Sequence, residues 1–201
     1  EWLLQFKGVE NPYAKACNVL GFQFDPTNED ERPEGHPDIH LEWVKGVIKD
    51  ARRAKTLYHA AAELGDTGAQ YSVGKCFYKG VGVAKDLAQA AAWYRRAADQ
   101  GQADAQNNLG ICYKKGEGVE KDLAQAVVWY RKAADQGNAA AQYNLGACFE
   151  EGEGVEEDLA QAVMWYLPAA DQGHAHAQYY LGRYYELCNG VKKNLALARE
   201  W

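Results

Sequence analysis

Apolar residues in 138–173 are spaced as in two consecutive α-helices. Ala141, Leu145 and Phe149 recur at i, i+4 and i+8, which predicts a first helix with one apolar stripe. A second stripe follows at i, i+3, i+4, i+7 and i+11, and its residues are Leu159, Ala162, Val163, Tyr166 and Ala170. The pattern therefore predicts a helical hairpin with both apolar stripes facing a shared core.

Polar and glycine residues mark the ends of these two helices. Gly152 and Gly154 interrupt the pattern, and glycine tolerates the positive φ angles that end a helix. Asp158 precedes the second stripe with Gln161 three residues later, which is typical of a helix N-terminus. Gly173 is expected to end the second helix as its C′ residue.

The hairpin recurs along the chain every 36 residues. Of the 36 positions in 102–137, 25 are identical in 138–173. The residues that keep this spacing are Gly74, Gly110, Gly146 and Gly182, Cys76, Cys112 and Cys148, and Trp93, Trp129, Trp165 and Trp201. A period between 20 and 50 residues is typical of solenoids, in which stacked neighbours form the core.

Recurring residues in 141–173 resemble the Sel1-like repeat, a relative of the tetratricopeptide repeat with a longer loop between its helices. They are Ala141 to Gly146, Gly152 to Val155, Asp158, Ala162, Trp165, Tyr166, Ala169, Ala170 and Gly173. The resemblance implies an all-α fold, a right-handed α/α superhelical solenoid of 36-residue helix-turn-helix repeats.

Five copies of the repeat are predicted. Complete copies span 66–101, 102–137 and 138–173, and a truncated copy spans 174–201, with Cys188 and Asn194 departing from the pattern. Residues 12–65 are interpreted as a divergent copy with an acidic, proline-rich insertion near 25–45. Residues 1–11 stay unassigned as a lead-in to the first copy.

Composition narrows the range of functions. The net charge of −6 argues against nucleic-acid binding, which favours a basic surface. No uncharged apolar run approaches the roughly 18 residues of a membrane span. Neither a basic segment nor an apolar segment at Glu1 indicates a signal peptide. Free thiols at Cys76, Cys112 and Cys148 favour a reducing compartment such as the cytoplasm.

Several motifs suggest a phosphate-binding or metal-binding site, but each is better explained as a structural or solvent-exposed feature of the repeat. The Gly-x-Gly-Val loops at 80–83, 116–119 and 152–155 lack the preceding strand and the Lys-Ser/Thr of a phosphate loop, so we interpret them as turns. Two histidine pairs, His36 with His40 and His174 with His176, lack cysteine partners at zinc-site spacing. Acidic residues in 150–158 lack the spacing of a calcium loop. We expect no catalytic residues, metal or cofactor, and therefore no enzyme.

The second helices carry two further expectations. We expect Trp93, Trp129 and Trp165 to be largely buried between successive hairpins, each stacked on the first helix of the following repeat. Pro168 cannot donate a hydrogen bond to the Met164 carbonyl, so it predicts a kink or an early weakening of its helix.

Variable positions of the first helices are the candidate binding residues. In tetratricopeptide-like repeats these positions line the concave groove, so the resemblance implies a groove that is basic in repeats two and three, acidic in repeats four and five, and lined by tyrosines. Its residues are Tyr71, Lys75, Tyr78, Lys79, Asn107, Ile111, Lys114, Lys115, Tyr143, Ala147, Glu150, Glu151, His176, Tyr179, Arg183 and Glu186.

Two functions remain open. The first is a non-enzymatic scaffold or adaptor that binds a partner peptide or helix, alone or in a larger multi-subunit complex. The second is an accessory region of a larger enzyme or assembly whose chemistry lies outside this chain. The simpler alternative to both is that the variable positions are exposed to solvent and have no binding role.

Overall fold

The computed structural model describes residues 58–187, and within this range the regular secondary structure is entirely α-helical. A helical segment at 58–63 is followed by α1 (Thr67–Lys79), α2 (Leu87–Asp99), α3 (Ala103–Lys115), α4 (Leu123–Ala134), α5 (Ala139–Glu151), α6 (Leu159–Asp171) and α7 (Ala175–Leu187). The predicted all-α repeat fold is confirmed. None of these helices has the length and apolar character needed to cross a lipid bilayer.

Several expectations concern residues outside the described range. They are the lead-in at 1–11, most of the divergent copy at 12–65 with its insertion near 25–45, the end of the last copy, and His36, His40, Cys188 and Trp201.

The chain divides into two compact units, Glu1–Gln100 and Gly101–Trp201. In the first unit the described elements are the segment 58–63, α1 and α2. In the second unit they are α3 to α7, in which α3 pairs with α4 and α5 pairs with α6 as helical hairpins. Here α4 also packs on α5, and α6 packs on α7.

Helix ends lie where polar and glycine residues predict them. Asp158 accepts hydrogen bonds from the backbone N–H groups of Ala160 and Gln161, which confirms it as the N-cap of α6. At the other end of a helix, Gly152 follows α5 with φ 67° and donates its N–H to the Cys148 carbonyl. Each loop therefore uses its first glycine as a left-handed helix cap, as expected for a structural turn.

A tyrosine of the second helix explains the glycine inside each first helix. In the hairpin of α5 and α6, a Cβ atom added to Gly146 would lie 2.7 Å from carbons of the Tyr166 ring. Tyr166 itself is completely buried. The same relation joins Gly74 to Tyr94 and Gly110 to Tyr130. Glycine recurs here because the aromatic ring occupies the space of a side chain.

Buried glutamines connect consecutive hairpins by hydrogen bonds. The Gln142 side chain on α5 donates to the Ala134 carbonyl at the end of α4, over 3.2 Å. Its oxygen accepts a 2.9 Å hydrogen bond from the side chain of Gln172, which follows α6. Gln178 on α7 donates in the same way to the Ala170 carbonyl. These bonds satisfy polar groups that would be costly to bury unpaired.

The tryptophans depart in part from expectation. Trp93 and Trp129 are 5% exposed, which confirms their burial, but Trp165 is only partly buried. The Trp93 ring packs edge-to-face against His59, with ring centroids 5.4 Å apart. Trp93 therefore packs against the preceding helical segment, a contact that the sequence did not predict.

Pro168 does not shorten its helix. Helix α6 continues beyond Pro168 to Asp171, and α2 ends at the corresponding Asp99. The weakening expected at Pro168 therefore does not end the helix. Ala169 and Ala170, which follow Pro168, are at most 1% exposed, and such tertiary packing favours a helix even where one backbone hydrogen bond is missing.

Candidate functional site

First helices of the second unit contribute to one continuous surface. The Asn144 side chain on α5 donates a 2.8 Å hydrogen bond to Asn107 on α3. On its other side, the Tyr143 ring of α5 lies 5.7 Å from His176 and 6.2 Å from Tyr180, both on α7. We call the surface formed by α3, α5 and α7 at these candidate positions the first-helix face.

Positions shared by the repeats lie beneath this face. Ala105, Leu109, Ala141, Leu145, Ala177 and Leu181 are fully buried. Many of the variable positions are instead exposed, and they are Lys115, Glu151, His176, Tyr179, Arg183 and Glu186. Tyr179 is the most accessible aromatic residue among them, with 60% of its surface exposed. The Arg183 guanidinium lies 5.9 Å from the centre of the Tyr179 ring.

Three candidate positions on α3 and α5 are less accessible. Asn107 is 8% exposed and accepts the hydrogen bond from Asn144. Ile111 is partly buried against the apolar core of the second unit. Ala147 is partly buried as well. Asn107 therefore connects adjacent first helices, and Ile111 and Ala147 offer a partner less surface than the exposed positions do.

Lys114 links two charge blocks that the sequence placed in separate repeats. Its ammonium group lies 2.7 Å from Glu153 and 3.6 Å from Glu151, both of the following repeat. Burial alone would lower the pKa of Lys114, but the hydrogen bond and charge of Glu153 raise it. The same contact lowers the pKa of Glu153. The basic and acidic blocks therefore partly neutralise each other within the protein.

Glu150 accepts a hydrogen bond from a buried tyrosine. The Tyr166 hydroxyl donates to its carboxylate over 2.6 Å. Burial, together with Glu150, raises the pKa values of Tyr166 and of the neighbouring Tyr184. The Glu150 carboxylate is therefore anchored to the core below the first-helix face rather than fully solvated.

An aromatic cluster joins α5, α6 and α7. The Tyr166 ring stacks on Tyr180, with centroids 5.6 Å apart, and on Tyr184, at 6.2 Å. Tyr143 extends the cluster toward solvent, 5.6 Å from Tyr166, and its ring stacks on His174 at 4.7 Å. Burial and the negative charge of neighbouring groups raise the pKa of Tyr143.

The sequence missed His174 as part of this cluster. Spacing placed His174 and His176 on different faces of one helix, but His174 lies just before α7, so helical spacing does not apply to it. Both imidazole rings lie against Tyr143. The 36-residue period could have indicated that His174 precedes the helix, because it aligns His174 with the polar residues Asp66, Gln102 and Asn138.

The first unit has its own tyrosines and lysines at the candidate positions. Tyr71 and Tyr78 flank the buried ring of Tyr94, with centroids 5.9 and 6.4 Å from it. The Lys75 ammonium lies 5.5 Å from the centre of the Tyr71 ring. Lys79 at the end of α1 is exposed. Tyr71 of the first unit and Tyr143 of the second occupy the same position of the repeat, and in the first unit a lysine lies beside the tyrosine.

Cysteines on the first helices are not part of this surface. Cys76, Cys112 and Cys148 are buried, and Cys112 and Cys148 are free thiols, as the sequence predicted. Burial raises the pKa values of Cys112 and Cys148 to about 11, so both thiols are protonated at neutral pH. Within residues 58–187, no group of three or more His, Cys, Asp or Glu side chains is placed to hold a metal ion.

Comparison with protein families identifies the repeat. The model of the Sel1 repeat matches residues 44–66, 67–102, 103–138, 139–174 and 175–201. No curated protein matches the chain significantly.

Solved structures show the same repeat fold. The protective antigen c5321 of uropathogenic Escherichia coli, with an SLR fold, is 36% identical, with a TM-score of 0.78 over 94% of this chain. The chain spans 37% of the length of c5321. A Sel1 repeat protein from Oxalobacter formigenes is 31% identical, with a TM-score of 0.77, over 94% of this chain and 68% of that protein.

A third structure is more distant. Cysteine rich protein B of Helicobacter pylori is 25% identical, with a TM-score of 0.52, over 65% of this chain and 94% of that protein. Sel1 repeat proteins are generally non-catalytic scaffolds that bind other proteins. Because the family model matches most of its length, the chain belongs to the Sel1 repeat family.

Proposed function

We propose that this chain is a non-enzymatic scaffold that binds a peptide or helix of a partner protein on its first-helix face. One observation carries the proposal: on α3, α5 and α7, the shared alanine and leucine positions beneath the first-helix face are buried, whereas many positions that differ between the repeats are exposed. Shared residues serve the stacking common to every repeat. Exposed residues that vary along the array are available to recognise a partner.

Tyr179 and Arg183 are the proposed anchors on α7. Tyr179 exposes 60% of its surface, and Arg183 lies over its ring. Tyrosine and arginine are enriched among residues that dominate binding energy, because they combine a large contact area with hydrogen-bonding groups. Lys115 and Glu186 supply exposed charges that orient a partner during association.

Site-specific photo-crosslinking tests the location of the partner. A benzophenone amino acid replaces Tyr179 in one variant and Lys132, exposed on the second helix α4, in the other. We expect crosslinked partner only from position 179. Adducts that form equally well from position 132 would place the partner on the opposite helices and contradict the proposal.

Once crosslinking has identified the partner, calorimetric titration with the free partner measures how much each side chain contributes to binding. We expect Tyr179→Ala to weaken binding by about tenfold or more, because it removes a proposed anchor. Arg183→Glu should weaken association most at low salt, since charge complementarity is screened by ions. The matched control is Lys132→Glu, which makes the same charge change on α4 and should leave the affinity unchanged.

A further inference from the structure

The residue that caps the first helix differs from repeat to repeat. Asp66 accepts from the backbone N–H of Ala69 at 2.7 Å, and Asn138 accepts from Ala141 at 2.9 Å. Gln102 caps α3 in the same way. At the corresponding position before α7, the Nδ1 atom of His174 accepts from the N–H of Ala177 at 3.4 Å.

Backbone geometry also identifies His174 as an N-cap. Its carbonyl accepts the first hydrogen bond of the helix from Gln178, as the Asn138 carbonyl does from Gln142. The caps of α1, α3 and α5 are Asp, Gln and Asn, whose side-chain oxygens accept hydrogen bonds throughout the physiological pH range. Among the first helices that the structure describes, α7 alone is capped by a group that protonates near neutral pH.

We propose that His174 is a pH-sensitive cap, so that acidification loosens α7 at its N-terminus. The neutral imidazole accepts through Nδ1, but a protonated imidazole has two N–H donors and no acceptor. Protonation therefore breaks the bond to Ala177. It also places a positive charge at the positive end of the helix dipole, where cations are unfavourable.

The surroundings of the imidazole oppose its protonation. The Tyr143 ring of α5 stacks on it at 4.7 Å, and His176 of α7 lies 6.0 Å away. From the C-terminal end of α6, the Ala169 carbonyl accepts from the His174 backbone N–H, and the nearby Asp171 is exposed. No ion pair joins a carboxylate to His174 among residues 58–187. Burial and the charge of His176 lower the pKa of His174 by more than a hydrogen bond to its own backbone raises it.

The direction of the pH effect follows from this lowered pKa. In the unfolded chain, His174 titrates near its ordinary pKa of about 6.5. Because the folded state resists protonation, the contribution of His174 to stability is complete above about pH 6.5 and is lost as the pH falls through its folded pKa.

A loosened α7 would also affect partner binding. Helix α7 carries His176, Tyr179, Arg183 and Glu186 of the first-helix face. Acidification would therefore reduce the fraction of molecules with these residues in a binding-competent arrangement. This consequence rests on the proposed function, whereas the helix cap itself can be tested without a partner.

Amide hydrogen exchange on the full 201-residue chain tests the cap. Protection factors of α7 amides, corrected for intrinsic exchange rates, are compared between pH 7.5 and 5.0, with α3 amides as an internal reference. We expect α7 protection to fall about fivefold more than α3 protection, the factor that corresponds to the loss of a typical N-cap. A wild-type chain with no such difference would overturn the proposal.

Substitutions at His174 separate the cap from other titrating groups. His174→Asn and His174→Asp install the capping residues of α5 and α1, so both should abolish the extra pH dependence of α7. The control, His176→Asn, removes the neighbouring imidazole and should retain it. If both His174 variants keep the pH dependence, or if His176→Asn eliminates it, the cap is not the cause. None of these outcomes depends on partner binding, so they are independent of the proposed function.

Discussion

At the scale of single residues, a residue that is identical in every repeat indicates close packing at that position more than a catalytic or binding role. Gly146 lies on a helix, where glycine is about 1 kcal/mol less favourable than alanine. It recurs because the Tyr166 ring occupies the space where a Cβ atom would lie. The spacing of the glycines was visible in the sequence, but the tyrosine responsible for it is 20 residues away.

Gly146→Ala tests this contact. The substitution favours the helix intrinsically, yet we expect it to destabilise the protein by about 1–3 kcal/mol, because overpacking a rigid core displaces the tyrosine. Thermal or urea denaturation measures the change. The double variant with Tyr166→Leu should lose less stability than the two single variants added together, since leucine leaves room for the methyl group. Simple additivity would mean that the ring does not cause the recurrence of glycine.

Charged residues illustrate what residue types alone could not predict. Lys114 and Glu153 were assigned to separate charge blocks, yet their side chains are 2.7 Å apart. Glu150 was expected as an acidic surface residue, but it accepts a hydrogen bond from Tyr166. Periodicity places a residue on one side of its helix, whereas these partners come from a different helix or repeat, whose exact alignment depends on packing.

At the scale of helices, sequence signals predicted existence and boundaries well. Apolar spacing predicted α5 and α6, Asp158 caps α6, and Gly152 ends α5 with a left-handed backbone. These signals are local, because capping involves atoms only a few residues apart. Pro168 was expected to kink or weaken its helix, yet α6 continues to Asp171 and the two alanines after the proline are buried.

Pro168→Lys should therefore stabilise the protein. The lysine supplies the N–H that proline lacks, and the corresponding residue of α4 is Lys132. We expect a gain of about 1–3 kcal/mol, measured as a higher melting temperature. Leu167→Arg is the matched control, because it restores the residue type of Arg131 without changing the backbone, and it should have a much smaller effect. A lower melting temperature for Pro168→Lys would show that the proline does not weaken α6.

At the scale of the whole molecule, the helical spacing of apolar residues and the 36-residue period together predicted an all-α repeat fold, because a hairpin with two apolar stripes must stack on its neighbours. The period could not predict the aromatic cluster of Tyr143, His174 and Tyr180, since these residues differ between repeats. Under the proposed function, positions that differ between repeats would also distinguish one partner from another. Sequence identity between repeats thus predicts the fold, and the structure is needed to interpret their differences.

Stability should be distributed along the chain as in a linear array. Leu145→Ala removes a fully buried side chain from the second unit, and Val73→Ala is the matched change at the corresponding position of the first unit. Because each repeat depends mainly on its neighbours, we expect Leu145→Ala to reduce amide protection in α5 to α7 more than in α1 and α2. Val73→Ala should have the reverse pattern, with a smaller total effect because valine loses fewer carbons. Hydrogen exchange followed by mass spectrometry resolves both patterns, and an equal loss of protection in both units for each variant would show that the chain unfolds as one cooperative core.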